Sequence, residues 1–273
     1  NDGAINGNIK DLYNGRLSGL TNHYSRNAFY TTLGIIVCIG KYLVLDKSKY
    51  KKNYAILLIF LSSTLFIIGK RGHSLFLIIS LILTLMILNK NILKKFKYIL
   101  KILLVLFIVL LIFSKINMGK QNLFIRLFNN SEDISTGRFE LYKIALDMFY
   151  KKPIFGYGYN AFSRIVSGFA GVHNDYIQLL CENGIVGLFI MLLSNLSIYF
   201  TTIITILKFR EKKRNRFNEE FMWLIISFMF QTFYLIYSFT GLPHYDYEIF
   251  IIYYLFSGVA IGIYRKYSIK KII

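Results

Sequence analysis

The chain has 273 residues, is 55% hydrophobic and 17% aromatic, and carries a formal net charge of +19 at pH 7. Its apolar runs of sixteen to twenty-four residues match a hydrocarbon core of roughly 30 Å, which about twenty helical residues cross. Backbone groups cannot go unpaired in lipid, which excludes open strands, and the length of the runs excludes an ordinary soluble domain.

Seven spans are expected, near 28–45, 54–69, 73–89, 98–114, 184–207, 221–240 and 249–264. The basic residues sort into alternate loops: Lys47, Lys49, Lys51 and Lys52, then Lys90, Lys94, Lys95 and Lys97, then six in 208–216, then Arg265, Lys266, Lys270 and Lys271. That is the positive-inside pattern with all four clusters cytoplasmic. It accounts for the charge as topology and argues against nucleic acid as a partner. Lys41 and Lys101 lie near cytoplasmic span ends, where they can snorkel. Acidic residues are nearly missing from the spans, which counts against an ion-coupled transporter. Cys38 and Cys181 fall in or beside spans without metal-ligand spacing and read as small apolar fillers.

This topology puts 1–27, the turn Lys70-Arg71-Gly72, the long loop 115–183 and the loop Gly241-Leu242-Pro243-His244 outside, and the C-terminus inside. The chain begins at Asn1 without a signal peptide, so the expectation is the C-terminal part of a longer protein. The fold class expected is all-α: a polytopic membrane protein of about seven transmembrane helices, with a large structured extracytoplasmic loop. Without internal repeats or linkers, 1–273 reads as one domain.

Within 115–183, Thr136 is placed to cap a helix near 138–150, with Glu140 in its first turn. Leu141, Ile144, Ala145 and Met148 share one face of it, and Pro153 ends it. Gly156 and Gly158 allow a tight path, and Asn174 stands where it could cap a short helix running through Glu182. Gly184 and Gly187 open the next span and permit close packing on a neighbour. All four histidines (His23, His73, His173, His244) fall on or next to the outer face. So do Arg16, Arg26, Arg71, Arg126, Arg138 and Arg164.

The ordered set Gly137-Arg138, Pro153-x-x-Gly156-x-Gly158-x-x-x-Phe162, His173-Asn174-x-Tyr176 and Glu182-x-Gly184-x-x-Gly187 resembles the outer loop of the O-antigen ligase and polymerase superfamily. Arg16-Leu17-Ser18-Gly19-Leu20 resembles the Arg-x-x-Gly element of that family. Gly69-Lys70-Arg71-Gly72 resembles its Ser-Arg-Gly turn, with Lys70 in place of serine. The resemblance implies a metal-independent membrane glycosyltransferase of the GT-C type in the bacterial cytoplasmic (inner) membrane, with no cofactor and its active site facing outward. It implies a donor glycan on undecaprenyl diphosphate and a glycan acceptor, with membrane lipids and, for a polymerase, a chain-length regulator as further partners. Members carry more spans than this chain, so upstream helices are expected to be missing. An odd number of them agrees with an outside Asn1.

Diphosphate leaves only if its developing charge is stabilised, and the planar fork of arginine suits that task. Arg71 and Arg138 are therefore expected at the donor diphosphate. His173 is expected as general base on the acceptor hydroxyl, since histidine ordinarily titrates near working pH; a phosphate-binding role competes with this. Arg16, Asn174 and Glu182 are the expected substrate-binding residues, Glu182 by orienting an arginine, while Asn174 and Asp175 also stand where they could cap the following helix. Arg26, Arg126 and Arg164 read as headgroup contacts or exposed salt bridges, and His244 as an interfacial loop residue. A lipid-linked oligosaccharide flippase would need polar residues lining the spans, and a scaffold would not need these groups on one face. Polymerase is preferred over ligase, although both use the same donor and residues.

Overall fold

In the computed structural model every regular element among the described residues is a helix; those residues are 17–21, 23–44, 50–89, 91, 137–166, 171–211 and 218–269. They form α1 (Tyr24–Val44), α2 (Lys51–Ile68), α3 (Arg71–Leu88), α4 (Arg138–Lys151), α5 (Ala161–Ile165), α6 (Asp175–Glu211), α7 (Glu219–Tyr237) and α8 (Tyr247–Ile269). Five of these, α1, α2, α6, α7 and α8, are long and apolar enough to cross a membrane, and α3 contains a shorter apolar helix over Gly72–Leu88. The protein is a multi-pass membrane protein. The fourth expected span, 98–114, lies outside the described residues, as do Arg16, Arg126 and the expected cap Thr136.

The chain divides into two compact units, one comprising Asn1–Asn129 with Ile203–Phe230, the other Asn130–Thr202 with Gln231–Ile273. The boundaries fall inside α6 and α7. In the first unit α1 buries Ala28, Phe29, Ile35 and Ile36. Phe29 meets Phe230 edge-on at 5.9 Å, and a Cβ on Gly40 would collide with Ile226, so only glycine lets α1 approach α7 there. The α2–α3 turn is two residues long. Gly69 takes the left-handed conformation (φ 76°) that ends α2, and Lys70 donates to Ser25 Oγ at 2.9 Å with its ammonium over the Tyr24 ring. Arg71 thus opens α3, two residues before the expected start of that span.

In the second unit α7 contributes a heavily buried segment. Tyr234 stacks on Tyr253 of α8 at 4.0 Å, and Gln231 Nε2 donates to Ser257 Oγ at 3.4 Å. Tyr199 and Thr232 share a hydrogen bond of 3.1 Å, and Tyr254 OH donates to Asn195 Oδ1 at 3.4 Å. Neutral side-chain bonds between helices suit an apolar surrounding, where each contributes on the order of 0.6 kcal/mol. Ile185, Phe189, Ile190, Leu193 and Phe200 of α6 are exposed large apolar side chains.

The 37 residues of α6 would span about 55 Å at 1.5 Å per residue, far more than a roughly 30 Å core. The helix breaks at Gly184 (φ 67°, ψ −170°), which separates the expected short helix from the span beginning at Ile185. The break strands two carbonyls and two N–H groups, and the loop after α4 meets all four. Tyr157 N donates to Cys181 O (3.1 Å) and Gly158 N to Glu182 O (2.7 Å), while Ile185 N donates to Pro153 O (2.8 Å) and Val186 N to Ile154 O (3.3 Å). A Cβ on Gly184 would run into the Ile154 carbonyl, and one on Gly156 into the Glu182 carbonyl. Gly184 therefore serves close approach of a loop rather than of another span, and Gly187 faces the Asn183 side chain one turn back.

Gly184→Ala should lower the melting temperature in detergent by at least about 3 °C, since glycine-only backbone conformations cost other residues roughly 1–3 kcal/mol. Gly258→Ala, where a Cβ meets nothing within 4 Å, should leave it unchanged. Equal melting temperatures for Gly184→Ala and wild type would remove the interlock from the account.

Candidate functional site

The site-bearing segment is built on α4. Gly137 precedes it at φ 76°, with open space around the position of a Cβ, so the requirement there is backbone conformation, not room. Arg138 follows as the first helical residue and is half-buried. Leu141, Ala145 and Met148 are buried against Phe162, Val172 and Cys181. Ile144, expected on the same face, is 37% exposed: it lies at the edge of a narrow stripe centred on Leu141. Lys152, with its ammonium 4.5 Å from the Tyr157 ring centroid, leads into the loop that grips the α6 break.

Glu182 sits beside that break with no exposed surface. Its carboxylate accepts from Asn160 N (2.7 Å), Phe162 N (3.1 Å), Gln178 Nε2 (3.2 Å) and Tyr245 OH (2.8 Å). None of these donors is an arginine. Gln178 also accepts from Val172 N at 2.9 Å, so one buried network joins α5, the start of α6 and the α7–α8 loop.

In the segment His173-Asn174-Asp175-Tyr176, the residues Asn174, Asp175 and Tyr176 make side-chain hydrogen bonds. Asn174 Oδ1 accepts from Ile177 N at 3.2 Å in the cap geometry expected from the sequence. Asp175 N donates to Ser238 O at 2.8 Å. Asp175 Oδ2 accepts from Ser238 Oγ (3.1 Å) and His244 N (2.9 Å). Tyr176 OH donates to Leu235 O at 2.8 Å, and its ring packs on Phe239. His173 alone of the four is exposed, in the left-handed conformation at φ 60°. Such positions are uncommon for residues other than glycine and persist where surrounding structure enforces them.

Four of the six expected site residues, Arg138, His173, Asn174 and Glu182, stand in the second unit. Arg71 stands in the first, at the start of α3, and Arg16 lies outside the described residues. Arg164, read as a headgroup contact, donates to the carbonyls of Asn160 (3.3 Å) and Tyr159 (3.0 Å). His244 is half-buried, and burial lowers its pKa. Among the described residues no three His, Cys, Asp or Glu side chains come together as metal ligands. Sequence reasoning missed Asp175 as a buried latch and Tyr245 as a Glu182 donor. The only signal was an aspartate two positions after the histidine, which reads equally well as a solvated first-turn residue.

The O-antigen ligase family model matches residues 56–192, half of the chain. The chain belongs to the O-antigen ligase family. The matched stretch runs from α2 into α6 and takes in Arg71, Arg138, the glycine loop and His173 through Glu182, but neither Arg16 nor the α7–α8 loop. No curated protein matches the chain.

Asp175, which lies before the break and outside the span, has no exposed surface. Burial pushes its carboxyl from the usual 3.8 up to about 8, against hydrogen bonds from His244 and Ser238 that lower it. The folded protein therefore keeps a proton that the unfolded chain releases above about 3.8. This contribution to stability is complete below that value and is lost as pH rises through about 8. Above pH 6.5, where His244 no longer adds an opposing dependence, thermal unfolding in detergent should show a melting temperature falling up to about pH 8. Asp175→Asn, which mimics the protonated acid, should flatten that dependence; an unchanged slope would mean that Asp175 is not the group responsible.

Proposed function

We propose that this O-antigen ligase-family membrane enzyme transfers glycan repeat units from undecaprenyl diphosphate to a glycan hydroxyl at the outer face of the cytoplasmic membrane. The observation that carries this reading is His173, the one exposed side chain of the segment His173–Tyr176, which lies within the stretch matched by the family. A rigidly presented histidine is what proton transfer to a positioned base requires.

In the proposed reaction the acceptor hydroxyl oxygen attacks the anomeric carbon of the donor sugar, and its proton passes to His173. The bond from that carbon to the phosphate oxygen breaks, and the lipid diphosphate leaves with the bonding pair. Arg138 stabilises the charge that develops on the diphosphate; Arg71 and Arg16 are proposed as further donor ligands on the strength of the family resemblance. Asn174 and Glu182 act through the backbone they hold, setting the place of His173 and of the 159–166 segment. The preferred outcome is polymerisation of repeat units, with a chain-length regulator as partner; a flippase reading has no observation in its favour.

In liposomes carrying the lipid diphosphate donor, His173→Ala should reduce turnover by about 10²–10⁴ while donor binding persists. Wild-type turnover should rise with pH through the range in which histidine loses its proton. Arg138→Lys should cost roughly 10²–10³ through loss of the bidentate fork. Full turnover in both variants would dismiss the assignment, and weaker donor binding in His173→Ala would make His173 a phosphate ligand instead.

Topology is separately testable. With Cys38 and Cys181 buried, Lys152→Cys should label with an impermeant thiol reagent in intact cells, and Lys266→Cys only after permeabilisation. Labelling of Lys152→Cys only after permeabilisation would place the base on the wrong side of the membrane, and labelling of Lys266→Cys from outside would overturn the assigned C-terminal side.

A further inference from the structure

The turn Tyr159-Asn160 is held from below more firmly than a surface loop needs. Asn160 N donates to the buried Glu182 carboxylate at 2.7 Å. Arg164 clamps both carbonyls of the turn, Tyr159 O at 3.0 Å and Asn160 O at 3.3 Å. Asn160 takes the left-handed conformation at φ 57°, where glycine would be less strained, so the asparagine keeps a side chain at some conformational cost. That residue is exposed.

Tyr159 beside it is 62% exposed, yet its ring is not free to turn. One face stacks on Tyr245, with centroids 5.3 Å apart and planes within 7°, and Tyr245 is itself fixed by its hydroxyl on Glu182 at 2.8 Å. The exposed area of Tyr159 therefore lies on its other face and edge. A locked aromatic face next to an exposed primary amide fits one chemistry well. The electron-rich ring face attracts the weakly positive C–H face of a pyranose, and the amide supplies both a donor and acceptors for ring hydroxyls. An acyl chain would leave the Asn160 amide without a use, and the exposed Ile154-Phe155 tip is the better lipid contact.

We propose that Tyr159 and Asn160 form a sugar-binding subsite, in which one pyranose of the glycan stacks on Tyr159 and hydrogen-bonds Asn160. The identity of the ligand as glycan rests on the transferase reading above; the built platform does not.

The chain has one tryptophan, Trp223, so a Tyr159→Trp reporter in a Trp223→Phe background reads this position alone. The protein is placed in lipid nanodiscs and titrated with oligosaccharides obtained by partial acid hydrolysis of the source cell's own surface polysaccharide. A parallel sample contains brominated phosphatidylcholine. A saturable emission change with the oligosaccharides and no quenching by the brominated lipid is expected. Quenching by the lipid without a response to sugar would make Tyr159 a membrane anchor and overturn the subsite; so would silence in both arms. By calorimetry on otherwise native protein, Tyr159→Ala should weaken oligosaccharide binding about tenfold, with Tyr159→Phe close to wild type. Asn160→Gly tolerates the same backbone and removes only the amide, so weaker binding there assigns the side chain. Where turnover is followed, Tyr159→Ala should raise the KM for acceptor with kcat little changed. Unaltered binding in Tyr159→Ala would sink the subsite while transfer by the wild type continued. Lack of transfer by the wild type would instead count against the enzyme reading, and the binding titration would still decide the subsite.

Discussion

A helix that breaks beside a membrane must find partners for the backbone groups it abandons, and this constraint organises the second unit. At Gly184 four such groups lose their helical partners, and each left buried and unpaired would cost about 1–3 kcal/mol. The segment Pro153–Gly158 supplies all four bonds. It can do so only because Gly156 and Gly184 bring two backbones closer than any side chain permits. The glycines and the proline-led loop are thus two halves of one device, which explains their presence on segments about thirty residues apart.

Glu182 extends that device into a site. A buried carboxylate is tolerable only when its oxygens are satisfied, and the four donors that satisfy it come from α5, its preceding turn, α6 and the α7–α8 loop. Each donor thereby has its position set by a common acceptor. Asp175 does so with one oxygen only: Oδ2 draws Ser238 and the His244 backbone onto the start of α6, while Oδ1 is buried without a partner. Two buried acids therefore hold down the residues on either side of the proposed site, where His173, Tyr159 and Asn160 are exposed. Rigid support of a few exposed groups is the usual way loops carry chemistry.

The spans carry a different kind of polar group. Ser80, Thr84 and Thr202 turn their hydroxyls back to carbonyls one helical turn earlier, and Gln231, Thr232 and Asn195 bond to neighbouring helices. These contacts are neutral and cheap to bury in apolar surroundings. Charge enters the described bundle near its ends, where Arg210 donates to Ile87 O at 2.6 Å. The chemistry proposed for the enzyme is therefore confined to the loops, and the bundle acts as their scaffold.

Membrane class, all-helical fold and the position of most spans were legible in the residues, because lipid imposes length and hydropathy so strictly that few alternatives survive; the family was legible only through the resemblance carried by the ordered motifs. The capping of α6 by Asn174 and most of the buried stripe of α4 were legible for a similar reason, since both depend on spacing within a few residues. Local spacing also singled out Arg138 and His173 by kind. What no local pattern contained was the set of partners over long sequence separations. Glu182 meets Tyr245, Asp175 meets Ser238 and His244, and the glycine loop meets the helix break. Whether an acid near a membrane surface is a solvated ligand or a buried clasp depends on which distant segment folds over it. Only tertiary structure decides that, because burial and hydrogen-bond satisfaction belong to the assembled pair and not to either residue.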